Sequence, residues 1–340
     1  MSNDKQLYVG IDIAAATVTA AWGTSPTEIG PAYEFEQKQV AYQRLVSQLK
    51  ASGYPPAQML VVIEATGTYW MRVAAYLHHA GLQVSVINPR QAYHFAQAKL
   101  QQAKTDPIDA RLLAELAGSL AVKVWQPPST AWEALYQRLV ERDNVVEMRQ
   151  MLRNQLHALK QRTALDPEVE ARKQALIDML DTQLKTIDQE LADWIHRSEW
   201  AVKADYLLSI KGIGIISTAW LLVVTNGFST CEDAEQLASY LGLVPHPHQS
   251  GSSRRGHKRT GHSGHARARR VLYQASVSAA RYNPIIKAFY DHLIAQGKHT
   301  KVARVAATRK LTHLAFAVVT KEQLFDPHYH TSSPQVASAT

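Results

Sequence analysis

Leu7-Tyr8-Val9-Gly10-Ile11-Asp12-Ile13, followed after three alanines by Thr17-Val18-Thr19-Ala20-Ala21-Trp22, decides the fold of the first part of this chain. Both runs are short and rich in β-forming residues, and the alanine link is short enough for a hairpin. A third run at 32–35 extends the pattern, Met59 to Glu64 reads as a buried strand, and residues 84–87 read as a fifth. Helical periodicity fills 42–51, 69–80 and 107–120. A hairpin-led sheet followed by alternating strands and helices is an α/β layer fold. Pro127-Pro128 then marks a boundary, so residues 1–128 read as one domain.

Beyond it the pattern changes. Val145, Met148, Leu152, Leu156 and Leu159 are spaced three, four, four and three apart. After Asp166-Pro167, the residues Ile177, Leu180, Leu184, Ile187, Leu191 and Trp194 alternate three and four. Such seams predict a coiled coil over 129–205, antiparallel or between subunits, with two helices of an ordinary bundle as the alternative. Residues 206–328 read as a mainly α domain with a Gly/Ser/His-rich interruption at 246–265, and 329–340 as a disordered polar tail.

The chain has 340 residues, with 37 Lys+Arg against 29 Asp+Glu. Its one cysteine, Cys231, excludes a disulfide framework and a Cys-built zinc site. The best apolar run, 213–224, falls short of the roughly 18 residues a membrane span needs. The polar start at 1–6 carries no signal peptide, so a cytoplasmic protein without a membrane partner is expected. Residues 236–290 hold nine basic side chains and no acidic one, which leaves the rest of the chain at a net charge of −1. A polyanion, nucleic acid first, is the implied partner.

Four acids stand where a sheet would collect them. Asp12 ends the first strand, Glu64 ends an apolar run, and Asp106 and Asp109 lie three apart on one helical face. Clustered carboxylates disfavour one another's charged form, and two Mg²⁺ ions about 4 Å apart would relieve them while clamping a phosphoryl displacement. A plainer reading makes Asp106 an N-cap before Pro107, with Asp109 at the third helical position. In the basic region, Lys211-Gly212-Ile213-Gly214 precedes an apolar helix over 215–224 and resembles the turn of helix-hairpin-helix DNA-binding elements; a tight turn between core helices fits equally. Gln249-Ser250-Gly251-Ser252-Ser253-Arg254-Arg255-Gly256-His257-Lys258-Arg259 follows, ahead of a helix with Arg267, Arg269 and Arg270. A serine among arginines suits attack on a phosphodiester, whereas a flexible linker with a solvated basic face is the plainer account. His246, His248, His257, His262 and His265 show no ligand spacing and read as polar or phosphate-facing.

Together these stretches resemble the insertion-sequence-110 family of transposases, DEDD-type recombinases described as bridge-RNA-guided, with the pilin-gene invertases as relatives. The resemblance is carried by Gly10-Ile11-Asp12, Ile63-Glu64-Ala65-Thr66-Gly67-Thr68-Tyr69, Val86-Ile87-Asn88-Pro89, Lys104-Thr105-Asp106, Asp109-Ala110-Arg111, Gly212-Ile213-Gly214, Leu241-Gly242-Leu243 and Ser250-Gly251-Ser252-Ser253. It implies a RuvC-like, RNase H-like N-terminal domain in which Asp12, Glu64, Asp106 and Asp109 hold Mg²⁺, or alternatively Mn²⁺. It further implies Ser250 as nucleophile, a covalent phosphoserine, double-stranded target and donor DNA, a structured noncoding guide RNA, and a homo-oligomer, dimer or tetramer. Lys211, Gly212, Gly214, Arg254, Arg255, Lys258, Arg259, Arg267, Arg269 and Arg270 would then contact nucleic acid. The histidine-proline run at 244–248 departs from the family's more basic pattern. Three other readings compete: a RuvC-like nuclease using water attack without a covalent intermediate, a non-catalytic RNA- or DNA-binding protein, and an actin-like or sugar-kinase ATPase. Against the last, no glycine follows Asp12 in Ile13-Ala14-Ala15-Ala16.

Overall fold

The computed structural model describes residues 6–100, 105–246, 249–250, 254–255, 259–260 and 264–328, with the backbone alone for those between 245 and 260. The chain divides into two compact units, Met1–Pro128 and Ser129–Thr340.

The first unit is built on a five-stranded mixed sheet. Strand β1 (Leu7–Ile13) pairs antiparallel with β2 (Thr17–Gly23), which pairs antiparallel with β3 (Tyr33–Glu36). On its other side β1 runs parallel to β4 (Met59–Glu64), and β4 runs parallel to β5 (Gln83–Ile87), giving the order β3-β2-β1-β4-β5. Alternation along β1 sends Leu7, Val9, Ile11 and Ile13 into one core with α1 (Gln39–Lys50) and α2 (Trp70–His79). The opposite face is covered by α3 (Pro89–Ala98) and α4 (Asp106–Ser119), where Leu60, Val62 and Ile87 meet Ala92, Leu113 and Leu116. Helix α3 meets this core through the buried Ala92 with Phe95 packed beside it; its start is set by Asn88, whose side chain accepts from the Arg90 amide ahead of Pro89.

In the second unit, α5 (Thr130–Leu159) and α6 (Pro167–Arg197) pack as an antiparallel pair within the chain. Val145 meets Leu180 and Leu184 in the seam. Arg149 and Arg153 both reach Asp181, at 2.6 and 2.8 Å, and Lys160 reaches Glu170 at 2.9 Å. Helix α5 thus supplies bases to the acids of α6, which fixes the antiparallel partner. Met148 departs from its expected place in the seam and is 43% exposed.

Leu135, Leu139, Leu191 and Ile195, at the base of this pair, share a core with α7 (Ala201–Leu208), α8 (Ile215–Val224), α9 (Ala234–Tyr240), α10 (Ala266–Tyr282), α11 (Pro284–Ala295) and α12 (Thr300–Thr320). Trp220 is wholly buried at its centre. Between α9 and α10, β6 (Pro245–His246) pairs antiparallel with β9 (Arg259–Thr260), and β7 (Gln249–Ser250) with β8 (Arg254–Arg255). The tail at 329–340 lies outside the described residues. Among the described residues, no helix is long and apolar enough to cross a membrane.

Candidate functional site

Asp12 sits on the central strand, paired with Thr19 of β2 and half-buried. Its carboxyl is pushed up to about 6, by burial first, then by the charges of Asp106 and Asp109, with a smaller contribution from Glu64. Among the described residues, the Ile13 amide is the one group pulling the other way. Glu64, at the end of β4, accepts from the Thr66 hydroxyl at 2.8 Å. The loops that follow Asp12 and Glu64 are tied together, since the Gln37 amide donates to the carbonyls of Ala14 (3.1 Å) and Tyr69 (3.4 Å).

The helix carrying the other two acids begins one residue earlier than expected. Thr105, extended at φ −149°, is the N-cap, without a capping bond from its side chain. Asp106 is therefore the first helical residue, not the cap, and Asp109 the fourth, with its amide donating to the Thr105 carbonyl at 2.9 Å. Asp106 is exposed and Asp109 half-buried. Two acids in the first turn still suit the helix dipole, but the capping account of Asp106 is removed. Four hard oxygen donors fit Mg²⁺ or Mn²⁺ in chemistry. Among the described residues, no three His, Cys, Asp or Glu converge tightly enough to hold an ion as they stand. Asp12 senses the charge of the other three, and among the described residues no ligand shell is closed.

In the second unit the two glycines of the Gly-Ile-Gly turn differ. Gly212, at φ +106°, lies against α10, where a Cβ would fall 2.6 Å from that of Ala279. Gly214 caps α8 with open space around its Cα, and Lys211 beside them is exposed. One glycine serves packing; the other leaves a helix start open to an approaching group.

Ser250 pairs through its backbone with Arg254, and Arg259 with His246; Lys258 lies outside the described residues, as do His248, His257 and His262. The arginines of α10 are engaged. Arg270 meets Glu147 of α5 at 3.0 Å, Arg267 lies 3.9 Å from the buried Asp143, and Arg269 donates to the Leu241 carbonyl at 3.0 Å. Burial pushes the Asp143 carboxyl up, opposed by Arg267, Arg270 and Arg142. The acid-free segment thus draws on acids from α5, which a segment-by-segment charge count does not reveal.

A family model described as a transposase, of the DEDD IS110 type, matches residues 9–164. A second, described as a transposase of the IS116/IS110/IS902 family, matches residues 204–291. The chain is 31% identical over 335 residues to the pilin gene-inverting protein of Moraxella lacunata, covering 95% of this chain and 98% of that one. This chain belongs to the IS110 family of transposases. A more distant relative, the transposase of insertion sequence element IS1111A from Coxiella burnetii, is 23% identical over 65% of this chain and 64% of its own. Membership makes this transposase a DNA recombination enzyme. The first matched region contains all four acids; the second contains Lys211, Gly212, Gly214, Ser250 and the arginines.

The sequence pattern reads this transposase's His265 as polar or phosphate-facing. Its ring is instead half-buried and caps α10, with Nδ1 accepting from the Ala268 amide at 3.2 Å. The only sequence signal is position, one residue ahead of Ala266-Arg267-Ala268, since histidine is not among the favoured caps.

Proposed function

We propose that this transposase cuts and rejoins double-stranded target and donor DNA through Ser250, assisted by a divalent cation, Mg²⁺ or Mn²⁺, held by Asp12, Glu64, Asp106 and Asp109. In this reading the first unit is a RuvC-like, RNase H-like domain, which the order β3-β2-β1-β4-β5 supports. The observation that carries it is the Asp12 carboxyl, pushed up by burial and by the charges of three other acids. Such a cluster gains most from a bound divalent ion, which would stabilise charge on a phosphodiester under attack.

Ser250 Oγ attacks phosphorus: the Oγ–P bond forms as the bond to one sugar oxygen breaks, Oγ gives up its proton, and the departing oxygen takes one up. Reversal with a different sugar hydroxyl rejoins the strands. Basic side chains at Lys211, Arg254, Arg255, Lys258, Arg259, Arg267, Arg269 and Arg270, with the open backbone at Gly214, serve phosphate contact. An element-encoded noncoding RNA supplies sequence choice by base pairing, so the protein reads backbone and shape. A dimer or tetramer provides more than one serine and carboxylate set for exchange between two duplexes.

The test is trapping of protein on DNA after denaturation. The wild-type chain should give a protease-sensitive adduct. Ser250→Ala should give none while binding DNA normally, and Asp12→Ala should abolish recombination. An adduct from Ser250→Ala at the wild-type level overturns the reading. Free ends without an adduct from the wild type establish metal-dependent hydrolysis in its place.

A further inference from the structure

We propose that His265 is a positioning residue for the strand-transfer reaction: its neutral ring, together with Arg269, locks the base of the arm that carries Ser250. This rests on the reading of Ser250 as nucleophile.

The arm leaves the second unit just after α9 and returns just before α10, and the two ends cross in direct backbone contact. Gly264 has φ +94°, and a Cβ there would fall 2.5 Å from the amide nitrogen of Gly242. Gly242, at φ +72°, turns the chain at the end of α9. Beyond this crossing two short antiparallel pairings follow, 245 with 260 and 246 with 259, then 249 with 255 and 250 with 254. Ser250 thus lies in a segment whose two ends meet where Leu241 and Gly242 approach Gly264 and His265.

Three hydrogen bonds hold the root. The His265 amide donates to the Tyr240 carbonyl at 3.1 Å, and the Arg269 guanidinium donates to the Leu241 carbonyl at 3.0 Å, so the returning chain takes up carbonyls from the end of α9. The third is the cap from Ala268 to His265 Nδ1. A backbone amide can only donate, so Nδ1 must carry a lone pair, and the imidazole is neutral with its proton on Nε2. The ring is wedged between Trp220 of α8, at 5.2 Å between centroids, and Tyr240 of α9, at 6.5 Å. Burial, with Arg267 and Arg269 on its own helix, depresses the pKa of the ring and keeps it neutral. Tyr240, the titratable side chain facing it from α9, is itself held protonated by burial.

Ser250 is eight residues from Gly242, a separation of at most about 26 Å, so a tilt of about 10° at the root would carry it by up to about 4.5 Å. Displacement of a reacting atom by even about 1 Å can cost on the order of 100-fold in rate. A rigid root is therefore what a nucleophile on such an arm requires.

The test compares His265→Ala, His265→Asn and Ser250→Ala in the full chain with DNA and guide RNA. Asparagine supplies a capping oxygen at the same place. His265→Ala should lower adduct yield at least about tenfold with DNA affinity within about twofold, and His265→Asn should restore most of it. Hydrogen exchange at the Ala268 amide should quicken in His265→Ala and recover in His265→Asn. Lowering the pH should weaken protection of that amide in the wild type relative to the asparagine variant, a difference that the titration of Asp12, common to both, does not affect. Wild-type adduct yield from His265→Ala, unchanged exchange at Ala268, or an asparagine variant as defective as alanine would overturn the proposal. Adduct formation by Ser250→Ala would instead overturn the assignment of the nucleophile, with the exchange measurements still deciding whether His265 locks the root.

Discussion

Gly10 of the central strand lies directly against Ala110 of α4: a Cβ at Gly10 would fall 2.1 Å from the Ala110 carbonyl oxygen and 2.2 Å from the Ala114 amide nitrogen. Both are backbone atoms, so no side chain can swing away to make room. Asp12 follows two residues along the same face of the strand, and Asp109 directly precedes Ala110. The missing side chain therefore sets how closely two of the acid-bearing elements approach. Gly10→Ala should displace α4, destabilise the chain by about 1–3 kcal/mol in urea unfolding, and abolish recombination. Unchanged stability together with full activity would show that α4 can dock elsewhere.

Asp12 gives a pH signature with a definite sign. An unfolded aspartate titrates near 4, whereas this one titrates at about 6, so between those values the native state holds the extra proton. Stability contributed by Asp12 is thus present at low pH and falls as pH rises through that window. Two pKa units correspond to nearly 3 kcal/mol, but solvent screening of a half-exposed carboxyl reduces the expected change to about 1 kcal/mol. Asp12→Asn removes the penalty: at about pH 7.5 without divalent ion it should melt above the wild type, with the gap closing at about pH 4. Added Mg²⁺ should raise the Tm of the wild type more than that of the variant, which should also be inactive. A variant melting at or below the wild type at neutral pH would contradict the crowding of the four acids.

Much of the sheet was legible because alternation and apolar runs report burial directly. Val9 and Ile11 face one core while Gly10 and Asp12 face the other side, and β4 reads as a buried run because five of its six residues are buried. Helix α3 was not among the expected elements, although Asn88-Pro89 is a helix-start signal that could have found it and Ala92 and Phe95 share its inner face. The acids were visible as an ordered set, but their mutual repulsion depends on how closely α4 docks on β1, a tertiary fact. The arginines show the opposite failure. Local counting placed nine basic residues in an acid-free segment, yet Asp143 and Glu147, more than a hundred residues upstream, lie against Arg267 and Arg270.

The helical pair makes its own prediction, because its two sides differ in burial. Leu180 and Leu184 are sealed in the seam, whereas Met148 and Met179 remain 43% and 53% exposed. Leu184→Ala leaves a cavity and should cost about 2–4 kcal/mol, with Leu180→Ala close behind. Met148→Ala and Met179→Ala should stay within about 0.5 kcal/mol in the free chain. Urea titration of the four variants checks the order, and a reversed order would mean that the seam faces the other way.

The two glycines at the start of α8 separate packing from nucleic-acid contact. Gly212 combines φ +106° with a neighbour 2.6 Å from any Cβ, so Gly212→Ala adds backbone strain to a clash with Ala279 and should destabilise by about 2 kcal/mol or more. Gly214 is extended at φ −110°, has nothing within 4 Å of a Cβ, and already occupies the cap position. Gly214→Ser keeps a favoured cap residue there and should leave thermal stability unchanged. Its side chain would nonetheless stand where a phosphate would approach the first amides of α8, so DNA affinity by fluorescence polarisation should weaken severalfold. The loss should shrink as salt rises, because the contact it blocks is electrostatic. Wild-type affinity in Gly214→Ser would leave this turn a packing device alone, and the phosphate contacts would then have to come from the arginine-bearing segment.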